Sequence, residues 1–488
     1  MMTFEQFQVL AQEHTAIPVY RKVLADLLTP VSAYMRLAKQ YHPAVLLESV
    51  EAGRQFARYS YICIDPRINV SHMAGVTTIR EGSEERDTRE PFLAILRHYL
   101  TGYQVPRLEG VPDFSGGWVG YLGYEAITWE ENIPVHPPTA ESTPDAIFML
   151  FETVMAFDHL KQEIIICHTQ RINIDQPLRP QYDAALAVVD EVGAALHADI
   201  DYQTPLETKK SEMTSNMTPA QFMAAVEQAR ELIFAGDIYQ LVLSQRFERV
   251  TSVEPLTLYR ALRNVNPSPY MFFFDLDGYS IIGASPELLV KVEQGIMEIR
   301  PIAGTRPRGK DEREDRRLAE DLLADEKELA EHLMLVDLGR NDVGRVCRYK
   351  SVSVKEFMVV ERYSHVMHIV SHIRGELQEG KDVFEALMAG FPAGTLTGAP
   401  KIRAMEIIHE LEPSRRGIYA GAIGYMDFNH NLNTCVTIRT LLLKDGVASF
   451  QSGAGIVADS DPKTEYEESV SKAEAIMRAV DFAERGLQ

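Results

Sequence analysis

Residues 437–472, TIRTLLLKDGVASFQSGAGIVADSDPKTEYEESVSK, contain a hairpin pattern, a glycine pair and the start of a helix. The alternation from Cys435 to Leu441 predicts a strand, a Lys-Asp-Gly turn follows at 444–446, and a second strand is expected at 448–450. Ser460-Asp461-Pro462 is typical of a helix start, because proline fits the first helical position. This part of the chain is therefore expected to be a strand–turn–strand unit followed by a long helix.

The predicted helix places Glu465, Glu468 and Lys472 on one face, because they are spaced i, i+3 and i+7. The glycine pair before it, Gly453 and Gly455, allows a ligand to approach the backbone closely. One interpretation is an ordinary hairpin with a solvated helix face. The other is a ligand site in which a glycine-lined strand is followed by two carboxylates and a lysine.

Composition indicates a large protein without membrane-spanning segments. The 488 residues exceed what a single core usually holds, 45% are hydrophobic, and no apolar run reaches the length of a transmembrane helix. The N-terminal MMTFEQFQVLAQEH lacks the pattern of a signal peptide. The four cysteines are widely spaced and form no CxxC pair, so neither zinc nor disulfides are indicated. We expect a cytoplasmic protein.

The formal net charge of −21 argues against non-specific binding of nucleic acid. It is equally consistent with solubility alone. An anionic substrate would need local cations or a metal ion to offset this charge.

Helix and strand patterns are mixed along the chain without regular alternation. Helices are expected within 1–40 and at 91–103 and 179–197, and strands at 44–50, 58–64 and within 145–171. Residues 203–217 are polar and predict a linker, after which Thr218-Pro219 begins a new helix. This mixture favours an α+β fold with two parts, 1–210 and 218–488.

A second acidic helix face is predicted at about 316–338, where Glu328 and Glu331 have the spacing of Glu465 and Glu468. Two such faces suit a hard divalent cation, which prefers oxygen ligands. In a chain with 70 acidic residues, however, such pairs also arise by chance.

Two segments between these helices could also carry chemistry. Tyr363–His368 contains His365 and His368 in a strand-like or short helical context, where a histidine is often only structural. Residues 391–401, FPAGTLTGAPK, have the composition of a loop entering a helix, whose free N–H groups can hold an anion.

Five segments together resemble the signatures of the chorismate-utilising enzymes, which include anthranilate synthase component I, aminodeoxychorismate synthase component I and the isochorismate and salicylate synthases. They are GASPE at 283–287, PIAGTRPRG at 301–309, EHLMLVDLGRNDVGRV at 331–346, FPAGTLTGAPK at 391–401 and GAGIVADSDPKTEYEE at 453–468. The resemblance implies large antiparallel sheets packed as a sandwich and flanked by helices, with closely associated N- and C-terminal parts. It assigns 1–210 to a regulatory domain and 218–488 to a chorismate-binding catalytic domain.

Two positions separate the members of this family. Isochorismate-forming enzymes carry a lysine where this chain has Gln240, and aminodeoxychorismate synthases carry a lysine where it has Ala303. Both departures match anthranilate synthase. A lysine there would activate water or act as a nucleophile, so its absence leaves the ring open to delivered ammonia.

The resemblance also implies a Mg²⁺ site and a substrate site. Glu331 and Glu468 are expected to bind Mg²⁺, with Glu328 and Glu465 behind them and Lys472 supporting the carboxylates. The enolpyruvyl carboxylate of chorismate is assigned to Arg439 and Tyr419, aided by backbone N–H groups. The backbone donors and the residues lining the ring are Gly453, Ala454, Gly455, Gly304 and Thr305.

Catalytic roles follow from the same resemblance. Glu287 is the candidate general acid for the departing C4 hydroxyl, which requires a raised pKa. His368 is expected to assist elimination of pyruvate, and Thr395 to position the ring or the pyruvyl group. Gln240 takes the place of the water-activating lysine.

Nitrogen is expected from a partner. None of the four cysteines lies on a glycine-flanked elbow of the kind an amidotransferase needs. The resemblance therefore implies a separate glutamine amidotransferase subunit, in a heterotetramer of two large and two small subunits.

Feedback inhibition by tryptophan is implied as well. The inhibitor site is assigned to Glu48 and Ser49 from the N-terminal part and to Pro269, Tyr270 and Met271 from the C-terminal part. Without the resemblance, these segments could simply be a core strand and a turn. Two alternatives to the overall function stay open: aminodeoxychorismate synthase, and a non-catalytic regulatory relative.

Overall fold

The structure is a computed structural model, and it describes residues 1–49, 58–200, 207–208, 210–363 and 366–488. Within these residues the α-helices are α1 Phe4–Leu10, α2 Pro30–Leu37, α3 Phe92–Thr101, α4 Leu178–Ala195, α5 Pro219–Ala235, α6 Pro255–Val265, α7 Glu312–Ala324, α8 Glu326–Gly344, α9 Val383–Gly390, α10 Lys401–Leu411 and α11 Pro462–Glu484. Two short 3₁₀ helices lie at Tyr124–Trp129 and Gly394–Leu396.

The strands are β1 Ala16–Leu24, β2 Ala44–Glu48, β3 Tyr59–Met73, β4 Val76–Glu81, β5 Glu84–Thr88, β6 Gly117–Leu122, β7 Ala146–Asp158, β8 Glu163–Arg171, β9 Thr214–Ser215, β10 Gln240–Val250, β11 Tyr270–Leu276, β12 Tyr279–Ser285, β13 Leu288–Glu293, β14 Ile296–Ile299, β15 Ile302–Pro307, β16 Ser353–Arg362, β17 Val366–Glu376, β18 Gly398–Ala399, β19 Ala422–Asp427, β20 Leu432–Val436, β21 Thr440–Lys444 and β22 Val447–Ile456.

The long strands β3 and β7 pair along nearly their whole length and join two antiparallel layers. In the first layer the order is β1-β8-β7-β3-β2-β11-β12-β21-β22-β10. In the second it is β5-β4-β3-β7-β6-β19-β20-β13-β14-β17, with β15 and β16 also paired to β17. Strands of the N-terminal part pair with strands of the C-terminal part in both layers, through β2–β11 and β6–β19.

The two layers pack face to face as a sandwich. Their shared core combines Val45, Phe272 and Phe274 of the first layer with Tyr121 and Ile423 of the second. The outer face of the first layer is covered by α2, α4, α6 and α11, and that of the second by α3, α8 and α9. The predicted α+β sandwich flanked by helices is confirmed.

Several helix starts follow from the sequence. Thr218 and Asp461 act as N-caps whose side chains accept hydrogen bonds from the first turn, and proline follows each of them. Gly117 and Gly120 lie in β6 where an added Cβ would meet the backbone of β19 and β7, so the glycine-rich segment marks a close approach of strands. The described residues contain no helix that is long and apolar enough to cross a membrane.

Three expectations about local structure were wrong. Residues 16–24 form β1 instead of continuing a helix. The predicted helix at 316–338 is two helices, because Asp325 leaves the helical conformation and caps α8. The alternation at 435–441 spans the end of β20 and the start of β21, with Arg439 between them at φ +50°. Val50, His365 and residues 203–206 and 209 of the predicted linker lie outside the described residues.

Candidate active site

A protonatable carboxyl lies in the loop between β12 and β13. Burial raises the pKa of Glu287 to about 7, although the hydroxyl of Thr395 and the charge of Arg439 oppose this rise. Thr395 Oγ1, in the second 3₁₀ helix, donates a 2.6 Å hydrogen bond to Glu287 Oε1. A carboxyl with this pKa is protonated in a large fraction of molecules at neutral pH, as a general acid requires.

Arg439 lies beside this carboxyl with its guanidinium available. It is exposed and makes no ion pair within 4 Å to any residue of the described chain. A free guanidinium fork fits a carboxylate geometrically. Tyr419 is buried nearby, packed 5.5 Å from the guanidinium of Arg416, and the charge of Glu287 helps to raise the pKa of its hydroxyl, after burial itself.

His368 is held by β15 across the strand pair β15–β17. Its Nδ1 lies 2.9 Å from the carbonyl oxygen of Gly304 and 3.1 Å from Thr305 Oγ1. Because a carbonyl only accepts, Nδ1 carries the proton and Nε2 keeps its lone pair. Burial lowers the pKa of His368 and so favours the neutral ring.

A bulge in β15 creates this contact. Gly304 and Thr305 together stand opposite His368, and Gly304 adopts φ +65°, a conformation that favours glycine. An added Cβ at this position would also lie 3.1 Å from Glu328 Oε2. The bulge therefore joins the histidine to the acidic face of α8.

Acidic side chains of α8 and α11 face each other. Burial raises the pKa of Glu331, and the carboxylates of Glu328 and Glu468 raise it further, against a hydrogen bond from Gln240. Burial likewise raises the pKa of Glu465, with a further contribution from Glu468. Lys472 Nζ donates to Glu468 Oε1 at 2.7 Å and to the carbonyl of Gly453 at 3.0 Å.

This donor set fits a divalent cation that is completed by substrate. Among the described residues no three acidic, histidine or cysteine side chains are close enough to hold a metal by themselves. Mg²⁺ commonly takes only one or two carboxylates and obtains its other ligands from water and substrate. The raised pKa values of Glu331 and Glu465 show that negative charge at this place is not fully offset by the protein.

Gln240 and the glycine pair form the floor between these carboxylates. Gln240 Nε2 donates to Glu331 Oε1 at 3.2 Å, and an added Cβ at Gly455 would lie 2.8 Å from the same amide nitrogen. Gly453, Ala454 and Gly455 belong to β22, which pairs with β10 along this segment but with β21 only as far as Ser449.

The residues assigned to chorismate and Mg²⁺ are therefore contiguous. Contacts lead from Thr395 and Glu287 to Arg439, and the charge of Arg439 acts in turn on His368. From His368 they continue through Gly304 to the acidic faces of α8 and α11 and to the glycine pair.

The residues assigned to tryptophan line a different space. A cavity of about 560 Å³, here called the inter-sheet cavity, opens between the two layers. It is lined by all five assigned residues: Glu48, Ser49, Pro269, Tyr270 and Met271. Glu48 and Met271 are direct cross-strand partners in β2 and β11 although they are more than 200 positions apart.

Two of these residues differ in what they offer a ligand. The Glu48 carboxylate accepts two hydrogen bonds from Arg263, at 3.0 and 3.1 Å, and a short one from the hydroxyl of Tyr259. It therefore anchors β2 to α6. The buried Oγ of Ser49 has no hydrogen-bond partner within the described chain.

Sequence reasoning missed two arginines that organise the site. Arg306 donates to Glu328 at 3.3 Å and to Asp325 at 2.8 Å, and it lies inside a segment singled out by resemblance, so a signal existed. Arg416 is buried and bonds to Glu412 and to the carbonyls of Leu396 and Val242. No local pattern around Arg416 indicated this role.

Comparison with known proteins agrees with this geometry. The sequence profile described as chorismate binding enzyme matches residues 42–478. The chain is 46% identical to anthranilate synthase component 1 of Acetivibrio thermocellus over 99% of its own length and 98% of that protein.

Solved structures agree as well. The crystal structure of anthranilate synthase component I from Streptococcus pneumoniae TIGR4 is 38% identical, with a TM-score of 0.77 over 93% of this chain and 98% of that one. The menaquinone-specific isochorismate synthase from Escherichia coli shares the fold, with a TM-score of 0.71 at 18% identity over 98% of each chain. The chain belongs to the family of chorismate-binding enzymes that includes anthranilate synthase component 1.

Proposed function

We propose that this chain is the large subunit of an anthranilate synthase, a lyase that converts chorismate and ammonia to anthranilate and pyruvate through 2-amino-2-deoxyisochorismate. This is the first committed step of tryptophan biosynthesis. The observation that carries the proposal is the pairing of Glu287, whose pKa is raised to about 7, with a neutral His368 in one contiguous site. Two titratable groups whose environments suit opposite protonation states can serve as acid and base.

Substrate binding uses the cationic side of the site. The free guanidinium of Arg439 and the hydroxyl of Tyr419 bind the enolpyruvyl carboxylate, and backbone N–H groups of Gly453–Gly455 assist. Gly304 and Thr305 line the ring, because they lie between His368 and the acidic helix α8.

The first step is amination. Glu287 gives its proton to the C4 hydroxyl, which leaves as water, while ammonia attacks C2 and the ring double bonds shift. The added nitrogen returns one proton and becomes a neutral amine. Thr395 holds the Glu287 carboxyl in place through its 2.6 Å hydrogen bond.

The second step is elimination. His368 takes the ring proton at C2 through Nε2, because Nδ1 is engaged with the carbonyl of Gly304. The C3–O bond breaks, the enolpyruvyl group leaves as pyruvate after protonation, and the ring becomes aromatic. Gln240, unlike a lysine at its position, activates no water and so leaves C2 to ammonia.

Glu331 and Glu468 would hold Mg²⁺, with Glu328 and Glu465 behind them. When bound, the ion supplies positive charge that offsets the ring carboxylate of chorismate in a strongly acidic protein. Lys472 keeps Glu468 oriented through its 2.7 Å contact.

Ammonia comes from a glutamine amidotransferase subunit, anthranilate synthase component II, in a cytoplasmic heterotetramer. The four cysteines of this chain are buried, and burial raises the pKa of each thiol, which disfavours the thiolate that a glutaminase needs. Tryptophan inhibits by binding in the inter-sheet cavity, so residues 1–210 serve regulation and 218–488 serve chemistry.

Incubation of the purified chain with chorismate, Mg²⁺ and ammonium at mildly alkaline pH tests the proposal. Appearance of anthranilate fluorescence supports it. Accumulation of aminodeoxychorismate instead would assign the chain to a different member of the family, and unchanged chorismate would indicate a non-catalytic relative.

A further inference from the structure

A cluster of charged and aromatic side chains stands between the inter-sheet cavity and His368. It consists of Arg300, Glu361 and Tyr363, here called the bridging cluster. Arg300 follows β14, Glu361 lies in β16, and Tyr363 follows β16 immediately. None of these residues has a part in the chemistry described above.

The cluster touches His368 on one side. Glu361 is the cross-strand partner of His368 in the β16–β17 pair, and its charge raises the pKa of the imidazole against the effect of burial. The ring of Tyr363 packs edge-on against the imidazole with centroids 5.4 Å apart. The other charged group that acts on the ring is Arg439, which lowers its pKa.

The same cluster lines the cavity on its other side. Arg300 and Glu361 are both cavity-lining residues. Burial raises the pKa of Tyr270, a residue assigned to the inhibitor, and the charge of Arg300 opposes that rise. Tyr363 also lies close enough to influence Tyr270 electrostatically.

Internal bonds make the cluster a unit. An Nη2 hydrogen of Arg300 bonds to Glu361 Oε1, and the hydroxyl of Tyr363 donates to Glu361 Oε2 at 3.0 Å. Both carboxylate oxygens are therefore fixed, in side chains that are 13% exposed for Arg300 and 30% exposed for Glu361. Arg308 further holds the backbone of Tyr363 by donating to its carbonyl at 2.6 Å.

We propose that Glu361, fixed between Arg300 and Tyr363, is a positioning residue for His368, and that a ligand in the inter-sheet cavity acts on catalysis by disturbing this cluster. The proposal rests on the proposed function, since it takes His368 as the base for elimination. An amino acid in the cavity carries both a carboxylate and an ammonium group, so it can compete for Arg300 or for Glu361. Either competition moves the carboxylate that faces the imidazole, without any contact between inhibitor and substrate.

The direct test is Glu361→Gln, which keeps the size of the side chain and an acceptor for Tyr363 but removes the charge. Glu356→Gln is the matched control, because Glu356 lies in the same strand and lines the same cavity but stands opposite His372. Titration of His368 by NMR with labelled histidine reports its protonation independently of activity. We expect the midpoint to move to lower pH in Glu361→Gln and to stay unchanged in Glu356→Gln.

Kinetics provide the second readout. In Glu361→Gln we expect pyruvate elimination to slow about tenfold at its plateau, with little change in KM for chorismate. The acidic limb of the rate profile should shift in the same direction as the NMR midpoint, because a base works only in its neutral form. Saturating tryptophan should inhibit the variant much less than the wild type, while calorimetry still detects tryptophan binding.

Tyr363→Phe serves if Glu361→Gln folds poorly, since it removes only the hydroxyl that holds Glu361. A His368 midpoint that is the same in wild type, Glu361→Gln and Tyr363→Phe would overturn the proposal, as would full inhibition of these variants by tryptophan. If the wild type makes no anthranilate, the proposed function fails, and the NMR titration still decides whether Glu361 acts on His368.

Discussion

Removal of the Thr395 hydroxyl should raise the pH at which the enzyme loses activity. Thr395→Val deletes the 2.6 Å hydrogen bond to Glu287, which holds the pKa of this carboxyl down to about 7 against the effect of burial. A hydrogen bond to a charged group contributes about 1.5–3 kcal/mol, and one pKa unit corresponds to about 1.4 kcal/mol. Because the site is partly exposed, we expect a shift of about one unit.

The sign follows from the role of Glu287 as an acid. Its protonated form is active, so turnover is present below its pKa and is lost as the pH rises through it. In Thr395→Val the alkaline limb of kcat/KM should therefore move upward by about one pH unit, while the rate at lower pH changes less.

The assay is anthranilate fluorescence across a pH series in which the concentration of free ammonia is held constant. Thr397→Val is the matched control, because the Thr397 hydroxyl donates to the carbonyl of Ala393 and not to Glu287. An alkaline limb at the same pH in the wild type and in both variants would refute Glu287 as the acid that Thr395 tunes.

Four further predictions concern the metal, the second step, the nitrogen source and the inhibitor. Glu468→Gln should abolish turnover with an unchanged thermal midpoint, since it removes one charge at a solvent-accessible site, and near-normal activity at ordinary Mg²⁺ would exclude Glu468 as a ligand. His368→Met should slow elimination more than amination, so that aminodeoxyisochorismate accumulates and is detected by chromatography; parallel loss of both steps would indicate a role in substrate binding. The isolated chain should use ammonium but not glutamine until its partner is added, and glutamine-dependent turnover by the chain alone would contradict this. Ser49→Phe should fill the inter-sheet cavity and remove tryptophan inhibition while anthranilate formation continues, and unchanged tryptophan affinity by calorimetry would place the inhibitor elsewhere.

The elements that sequence predicted well are those with local causes. The starts of α5 and α11 follow from Thr218-Pro219 and Asp461-Pro462, where a capping side chain and a proline agree. Turn chemistry was equally informative, because Asp445 and Gly446 both adopt positive φ between β21 and β22. The helices at 91–103 and 179–197 were found from their apolar periodicity.

Elements that depend on tertiary contacts were predicted less well. Residues 16–24 become a strand because β8 supplies a partner along their whole length. At 437–439 the alternation continues through a break, because Arg439 takes a positive φ that no periodic pattern indicates. The chain also gave no local sign that β2 would pair with β11, a contact between positions more than 200 residues apart.

The candidate site shows the same division. Motifs marked Glu287, His368 and the acidic pairs, and the structure brings these residues together. What they could not show is the partner of each group: the Gly304 carbonyl that fixes the tautomer of His368, or the Arg263 and Tyr259 contacts that occupy Glu48. Such partners come from distant segments, so spacing along the chain carries no information about them.

The measurement that tests the account most directly is product analysis with isotopically labelled ammonium. The purified chain, chorismate, Mg²⁺ and labelled ammonium are incubated, and the products are separated and identified by mass spectrometry. The account predicts anthranilate that carries the labelled nitrogen, together with an equal amount of pyruvate. Isochorismate, an aminated product that retains its enolpyruvyl group as the end point, or unreacted chorismate would contradict it.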